Sequence, residues 1–130
     1  MSRAFFDTNI LLYVTDSDRQ KATRSIDVLA AGGVISVQVL NEFVSVARGK
    51  LSLSWDELEP ILKNFAARFH VEAMTLETQM RATVIARRHL LNIYDATIIA
   101  AAEQAGCDVL YTEDLQHGAT IAGVEIRNPY

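Results

Sequence analysis

The chain has one cysteine and two prolines in 130 residues, and aromatic residues make up only 8%. The lone thiol, Cys107, cannot close an intramolecular disulfide, so the fold needs no oxidising compartment. No Pro-rich linker, internal repeat or low-complexity tract divides the chain. At 130 residues it can bury a real core, so a single domain over residues 1–130 is expected. No stretch approaches the length of a membrane span, and no apolar leader precedes Asp7, so a cytoplasmic protein without a membrane partner is expected. Also missing are a zinc-type Cys/His spacing, a Gly-rich phosphate loop and any assignable Ser-His-Asp arrangement. His70, His89 and His117 read as surface or helix-end residues, not catalysts.

Basic charge is scarce too. Twelve Lys and Arg face 16 Asp and Glu, a net charge of -4. That excludes a surface that attracts nucleic acid all over. If four acids gather around a metal, the remainder balances at 12 against 12, and any nucleic acid must be held locally.

What is present is a 50% hydrophobic composition arranged as short apolar runs alternating with amphipathic stretches, the pattern of an α/β domain. Phe5–Asp7 reads as a first strand that stops abruptly at a carboxylate, followed by Thr8 and Asn9. Ala22, Ile26 and Leu29 share a helix face, which Gly32-Gly33 ends. Val34-Ile35 is a short strand, and Ser36 caps a helix through Arg48. Its apolar stripe is expected at Leu40, Val44 and Ala47, with Val39 and Phe43 beside it. Ser54 and Glu57 form a capping box for a helix carrying Leu58, Ile61, Leu62, Phe65 and Phe69. A strand is expected over Val71–Met74, then a helix capped by Thr75 with Met80 and Val84 on one face, ending in Arg87-Arg88-His89. Leu91–Ala102 reads as a tightly packed helix with Asp95 near its start, Val109–Tyr111 as a buried strand, and Val124–Ile126 as the last strand.

Four acids fall at related places. Asp7 and Asp114 follow strands, Asp95 starts a helix, and Glu42 sits within a packed helix among core-type residues. In a parallel α/β sheet, strand C-termini and helix N-termini share one edge, where ligands bind. Taken singly, Asp7 or Asp95 could be a helix cap and Glu42 a solvent-facing residue. Together, carboxylates at one edge would raise each other's pKa unless a cation lay between them. Hard oxygen ligands select Mg²⁺, with Mn²⁺ as a substitute, and such an ion keeps waters and a substrate phosphate in its shell. That is the chemistry of phosphodiester hydrolysis. A phosphoaspartate phosphatase fits less well, because the position two residues after Asp7 is Asn9.

Phe6-Asp7-Thr8-Asn9, Asn41-Glu42-Phe43, Tyr94-Asp95-Ala96 and Tyr111-Thr112-Glu113-Asp114-Leu115, in this order, resemble a PIN-domain nuclease. Small size and Leu115-Gln116-His117-Gly118 make the chain most similar to VapC-type toxins of type II toxin–antitoxin pairs. The resemblance implies a three-layer α/β/α sandwich with a central parallel sheet, PIN-like and Rossmann-like. It also implies a Mg²⁺- or Mn²⁺-dependent endoribonuclease with Asp7, Glu42, Asp95 and Asp114 as its acidic site. By position Asp7 and Asp95 are the direct metal ligands, and Glu42 and Asp114 complete the site. Thr8, Asn9 and Thr112 support the carboxylates and waters. A homodimer and a cognate antitoxin are the partners implied, besides the RNA substrate. One departure is that the family often has a small hydroxyl residue and a Trp just ahead of the third acid, where this chain has Asn92 and Tyr94. Of the neighbours Glu113 and Asp114, strand alternation favours Asp114 as the one facing the site. A non-catalytic PIN-like module that binds RNA or protein is the rival reading. A DNA nuclease of related fold ranks lower, since no long basic segment is present.

Overall fold

The computed structural model describes residues 3–130; the first two residues of the expected domain lie outside the described residues. The chain runs β1 (Ala4–Phe6), α1 (Thr8–Leu12), a 3₁₀ turn (Tyr13–Thr15), α2 (Arg19–Leu29), β2 (Val34–Ser36) and α3 (Val37–Gly49). It continues through α4 (Trp55–Arg68), β3 (His70–Glu72), α5 (Leu76–His89), α6 (Ile93–Gln104), β4 (Val109–Tyr111), β5 (Thr120–Ile121) and β6 (Val124–Arg127). Helices flank a six-stranded sheet of order β3-β2-β1-β4-β6-β5, the expected α/β/α arrangement. All pairings are parallel except β5 with β6.

The strand order places β1 at the centre. The chain leaves it toward β2 and β3, then returns to β4 on its other side. Between β1 and β4 the topology therefore reverses direction, and the crevice beyond their C-termini is where such sheets bind ligands. Phe6 lies opposite Tyr111 in that pair, their rings stacked at 5.9 Å. The ladder runs one residue further, with the Asp7 amide donating to the Tyr111 carbonyl at 3.0 Å. Asp7 thus begins where the sheet still holds the backbone rigid.

Burial follows from these placements. Phe5, Phe6, Val34, Ile35 and Leu110 fill the sheet, and Ala96–Ala102 of α6 are buried without interruption. A helix apolar on all sides belongs in the interior, and its alanines let neighbouring elements approach closely. Gly33 is required where β2 starts, since a Cβ there would lie 2.6 Å from the Ala4 carbonyl oxygen. The capping box at Ser54 forms as expected.

Several expectations need correction. On α3 the buried stripe is Val39, Phe43 and Ala47, while Leu40 and Val44 are half-buried. The third strand is His70–Glu72 and stops before Met74. On α5, Met80 and Val84 share a face as expected, and that face is more than half exposed; the face turned inward is Thr78, Ala82 and Ile85. Thr78 and Ala82 on that face are small, which lets α5 pack closely against α6. The antiparallel β5 is a departure from the parallel sheet expected. Among the described residues no helix is long and apolar enough to cross a membrane.

Candidate active site

Asp7 ends β1 and caps α1, and it is only 4% exposed. One oxygen, Oδ1, accepts the Thr8 amide at 2.7 Å; the other, Oδ2, accepts the Thr112 hydroxyl at 2.8 Å. Burial raises its pKa to about 6, against the lowering effect of those two donors, and the charges of Asp114 and Glu42 push it up further. The cost of burying a charge dominates here, as desolvation disfavours the ionised form.

Glu42 reaches the same place from α3. Its Oε2 accepts the Thr8 hydroxyl at 2.9 Å, and its Oε1 accepts the Gln38 amide at 3.1 Å. Thr8 therefore links Asp7 through its backbone to Glu42 through its side chain. Asp114 arrives from the loop after β4. Its amide donates to the Thr112 hydroxyl oxygen at 3.1 Å, and its Oδ2 accepts the Asn9 amide at 3.1 Å. Asp7, Glu42 and Asp114 line one cleft of about 340 Å³, together with Thr8 and Asn9. Asp95 sits in the first turn of α6, gripped by its N-cap Asn92 at 2.8 Å. Its pKa is raised by burial first, then by Asp114 and Glu42, against the lowering bond from Asn92. It does not line the cleft wall, yet it lies within electrostatic reach of two acids that do.

The strand-order reversal and the acids thus meet at one edge of the sheet. The PIN domain model matches residues 4–120. The chain belongs to the PIN domain family. This PIN domain is similar in fold to a toxin–antitoxin complex from Klebsiella pneumoniae, at 24% identity and a TM-score of 0.74 over 98% of each chain. It is similar to DNA-bound VapBC from Salmonella typhimurium, at 20% identity and a TM-score of 0.72 over the full length of both. A third relative in fold is VapC20 of Mycobacterium tuberculosis, described as a sarcin-ricin loop cleaving toxin. That match has 17% identity and a TM-score of 0.69, over 85% of this chain and 91% of that one. No curated protein matches the sequence significantly.

Whether the PIN domain's acids suit a divalent cation can be judged from their surroundings. Among the described residues, no three His, Cys, Asp or Glu side chains stand close enough to form a ready-made metal cage. Mg²⁺ does not need one, because it takes one or two carboxylates and keeps its waters. The Asn9 side-chain oxygen is buried without a hydrogen-bond partner, beside Thr112 and Asp114. That orphaned acceptor, a buried carboxylate of raised pKa and an all-oxygen donor set fit a hard, hydrated cation.

Three contributors escaped the sequence reading. Gln38 donates to Glu42 and also to the Tyr94 carbonyl at 3.4 Å, tying α3 to the start of α6. Its spacing of four from Glu42 on one helix was the available signal. Tyr13 and Lys21 both hold Glu113, with Lys21 at 3.5 Å, so Glu113 is turned away and Asp114 faces the cleft. Nothing local in the sequence marks that clasp, which spans 100 residues for Tyr13 and 92 for Lys21.

Proposed function

We propose that this PIN domain is a Mg²⁺- or Mn²⁺-dependent endoribonuclease. We further propose that it is the toxin of a type II pair, neutralised by a cognate antitoxin and assembled as a homodimer. The single observation that supports the chemistry most is Asp7, a buried carboxylate held at the sheet's switch point and facing the same cleft as Glu42 and Asp114. A carboxylate so desolvated gains most from a cation beside it. Bound there, the ion would lower the pKa of a water and neutralise charge developing on the phosphate. Asp7 and Asp95 are the proposed direct ligands. Thr8 and Thr112 fix the Asp7 oxygens, which keeps them from rotating when the ligand arrives. Glu42 and Asp114 would orient waters, and Asn9 keeps Asp114 turned toward the cleft.

The toxin reading draws on the kinship in fold with toxin–antitoxin complexes. Purified protein with Mn²⁺ should cut RNA to 5′-phosphate and 3′-hydroxyl ends, and EDTA or Asp7→Asn should stop it. Undiminished cutting in both controls would contradict the proposal. Expression should arrest growth, relieved by the product of an adjacent small reading frame. A second reading, a non-catalytic binding module, is favoured by the lack of a ready-made cage among the described acids. A metal titration by calorimetry separates the two, since a pure binder shows no heat at these acids.

A further inference from the structure

The acidic cleft does not end at the acids. A second hollow of about 230 Å³ adjoins it and shares Asn9, Leu12 and Val46 as a common wall. Its far end carries Lys50, with Tyr13 and Asp16 beside it. Lys50 belongs to the same face of α3 as Glu42: residues 42, 46 and 50 follow the four-residue spacing that aligns helix side chains. The helical backbone persists to that point, since the Lys50 amide donates to the Val46 carbonyl at 2.8 Å with φ -68 and ψ -38. Eight residues of rise put Lys50 about 12 Å along the helix from Glu42.

Two cations close to this hollow in the fold or the chain are otherwise engaged. Lys21 is paired with Glu113 and lies over the Tyr13 ring at 4.4 Å. Arg48 donates to the Leu53 carbonyl and stacks on Trp55 at 4.6 Å. Among the described residues Lys50 forms no ion pair and its ammonium no hydrogen bond. Asp16, the acid that shares the hollow, is already used in accepting the Asp18 amide at 2.8 Å.

We propose that Lys50 holds a backbone phosphate of single-stranded RNA, away from the scissile one, along a track from the acids over Leu12 and Val46. This rests on the nuclease reading and adds the direction in which the strand leaves the site. A chain of net charge -4 must hold RNA by local cations, and this one lies in a groove continuous with the acids. An ammonium there supplies affinity without base preference.

The test measures binding of a labelled oligouridylate to the Asp7→Asn protein by anisotropy over a series of KCl concentrations. Adding Lys50→Ala should weaken binding roughly three- to tenfold at low salt and lower the slope of log affinity against log salt by about 0.7. Lys50→Arg should restore both, and Lys63→Ala, on exposed α4 surface, should change neither. In the active protein Lys50→Ala should raise KM and spare kcat. Equal affinity and slope for Lys50→Ala, or a fall in kcat at constant KM, would overturn the role of Lys50 alone. Loss of RNA binding and of cleavage by the unmodified protein would overturn the nuclease reading with it.

Discussion

Two strand-to-acid junctions stand side by side at the centre of this sheet, and they are built differently. At the end of β1, Asp7 is buried, accepts two short hydrogen bonds and has a pKa raised to about 6. At the end of the neighbouring β4, Thr112 is buried in its place and the acid comes two residues later, exposed as Asp114. The same pattern, an apolar strand ending in acid, thus gives one carboxylate buried against its surroundings and one that stands exposed. The difference teaches that a strand end supplies position, while burial decides what the group can do. In the proposed function, Asp7 is the carboxylate that gains from a cation, while Asp114, exposed and held by Asn9, orients water.

Removing the charge at the buried junction should produce the largest effect. Asp7→Asn should lower RNA cleavage by at least a hundredfold, since even losing a supporting partner of a metal ligand costs about 10- to 100-fold. The same change should raise the melting temperature of metal-free protein at neutral pH. Asp7 holds its proton more tightly folded than unfolded, so its contribution favours folding below about pH 4 and is lost as pH rises through about 6. Above that the charged group costs about 3 kcal/mol, at 1.36 kcal/mol per pKa unit. Thermal melts of metal-free protein from pH 4 to 8 should therefore show stability falling more steeply in the original than in the variant, which keeps the smaller contribution of Asp95.

Cutting the link between the junctions comes next. Thr112→Val removes the hydroxyl that donates to Asp7 and accepts from the Asp114 amide, and it should cost about 10- to 100-fold in cleavage and Mn²⁺ affinity. Thr112→Ser should recover most of it. At the exposed junction, Asp114→Asn should reduce cleavage while leaving stability within about 0.5 kcal/mol, as surface changes do. An Asp114→Asn protein stabilised as much as Asp7→Asn would break the comparison. Smallest should be Tyr13→Phe, which frees Glu113 from one donor. It should cost about 1 kcal/mol in denaturant melts, the usual worth of one hydrogen bond, with activity within about twofold.

The position of the Asp7 junction was legible in the sequence because its signal is local: an apolar run, an acid, then Thr8 and Asn9; the Thr112 hydroxyl that holds it comes from 105 residues away. The packed α6 was legible for the same reason. Met80 and Val84 share a face as the spacing says, but helical spacing does not tell whether that face meets the core. The inward face of α5 carries Thr78, Ala82 and Ile85 instead, which α6 can approach. The two-residue β5 was invisible, too short to show alternation. Glu113 and Asp114 could be ranked by alternation, but what separates them, the grip of Tyr13 and Lys21 on Glu113, joins residues far apart in the chain.

The central claim is that Asp7 is the group around which a divalent cation binds. It is tested most directly by following the melting temperature at pH 7.5 during a Mn²⁺ titration of the unmodified protein and of Asp7→Asn. The account predicts that the unmodified protein starts lower and climbs with Mn²⁺, while Asp7→Asn starts higher and stays level. An Asp7→Asn protein that climbs as far, at the same Mn²⁺ concentrations, would contradict it.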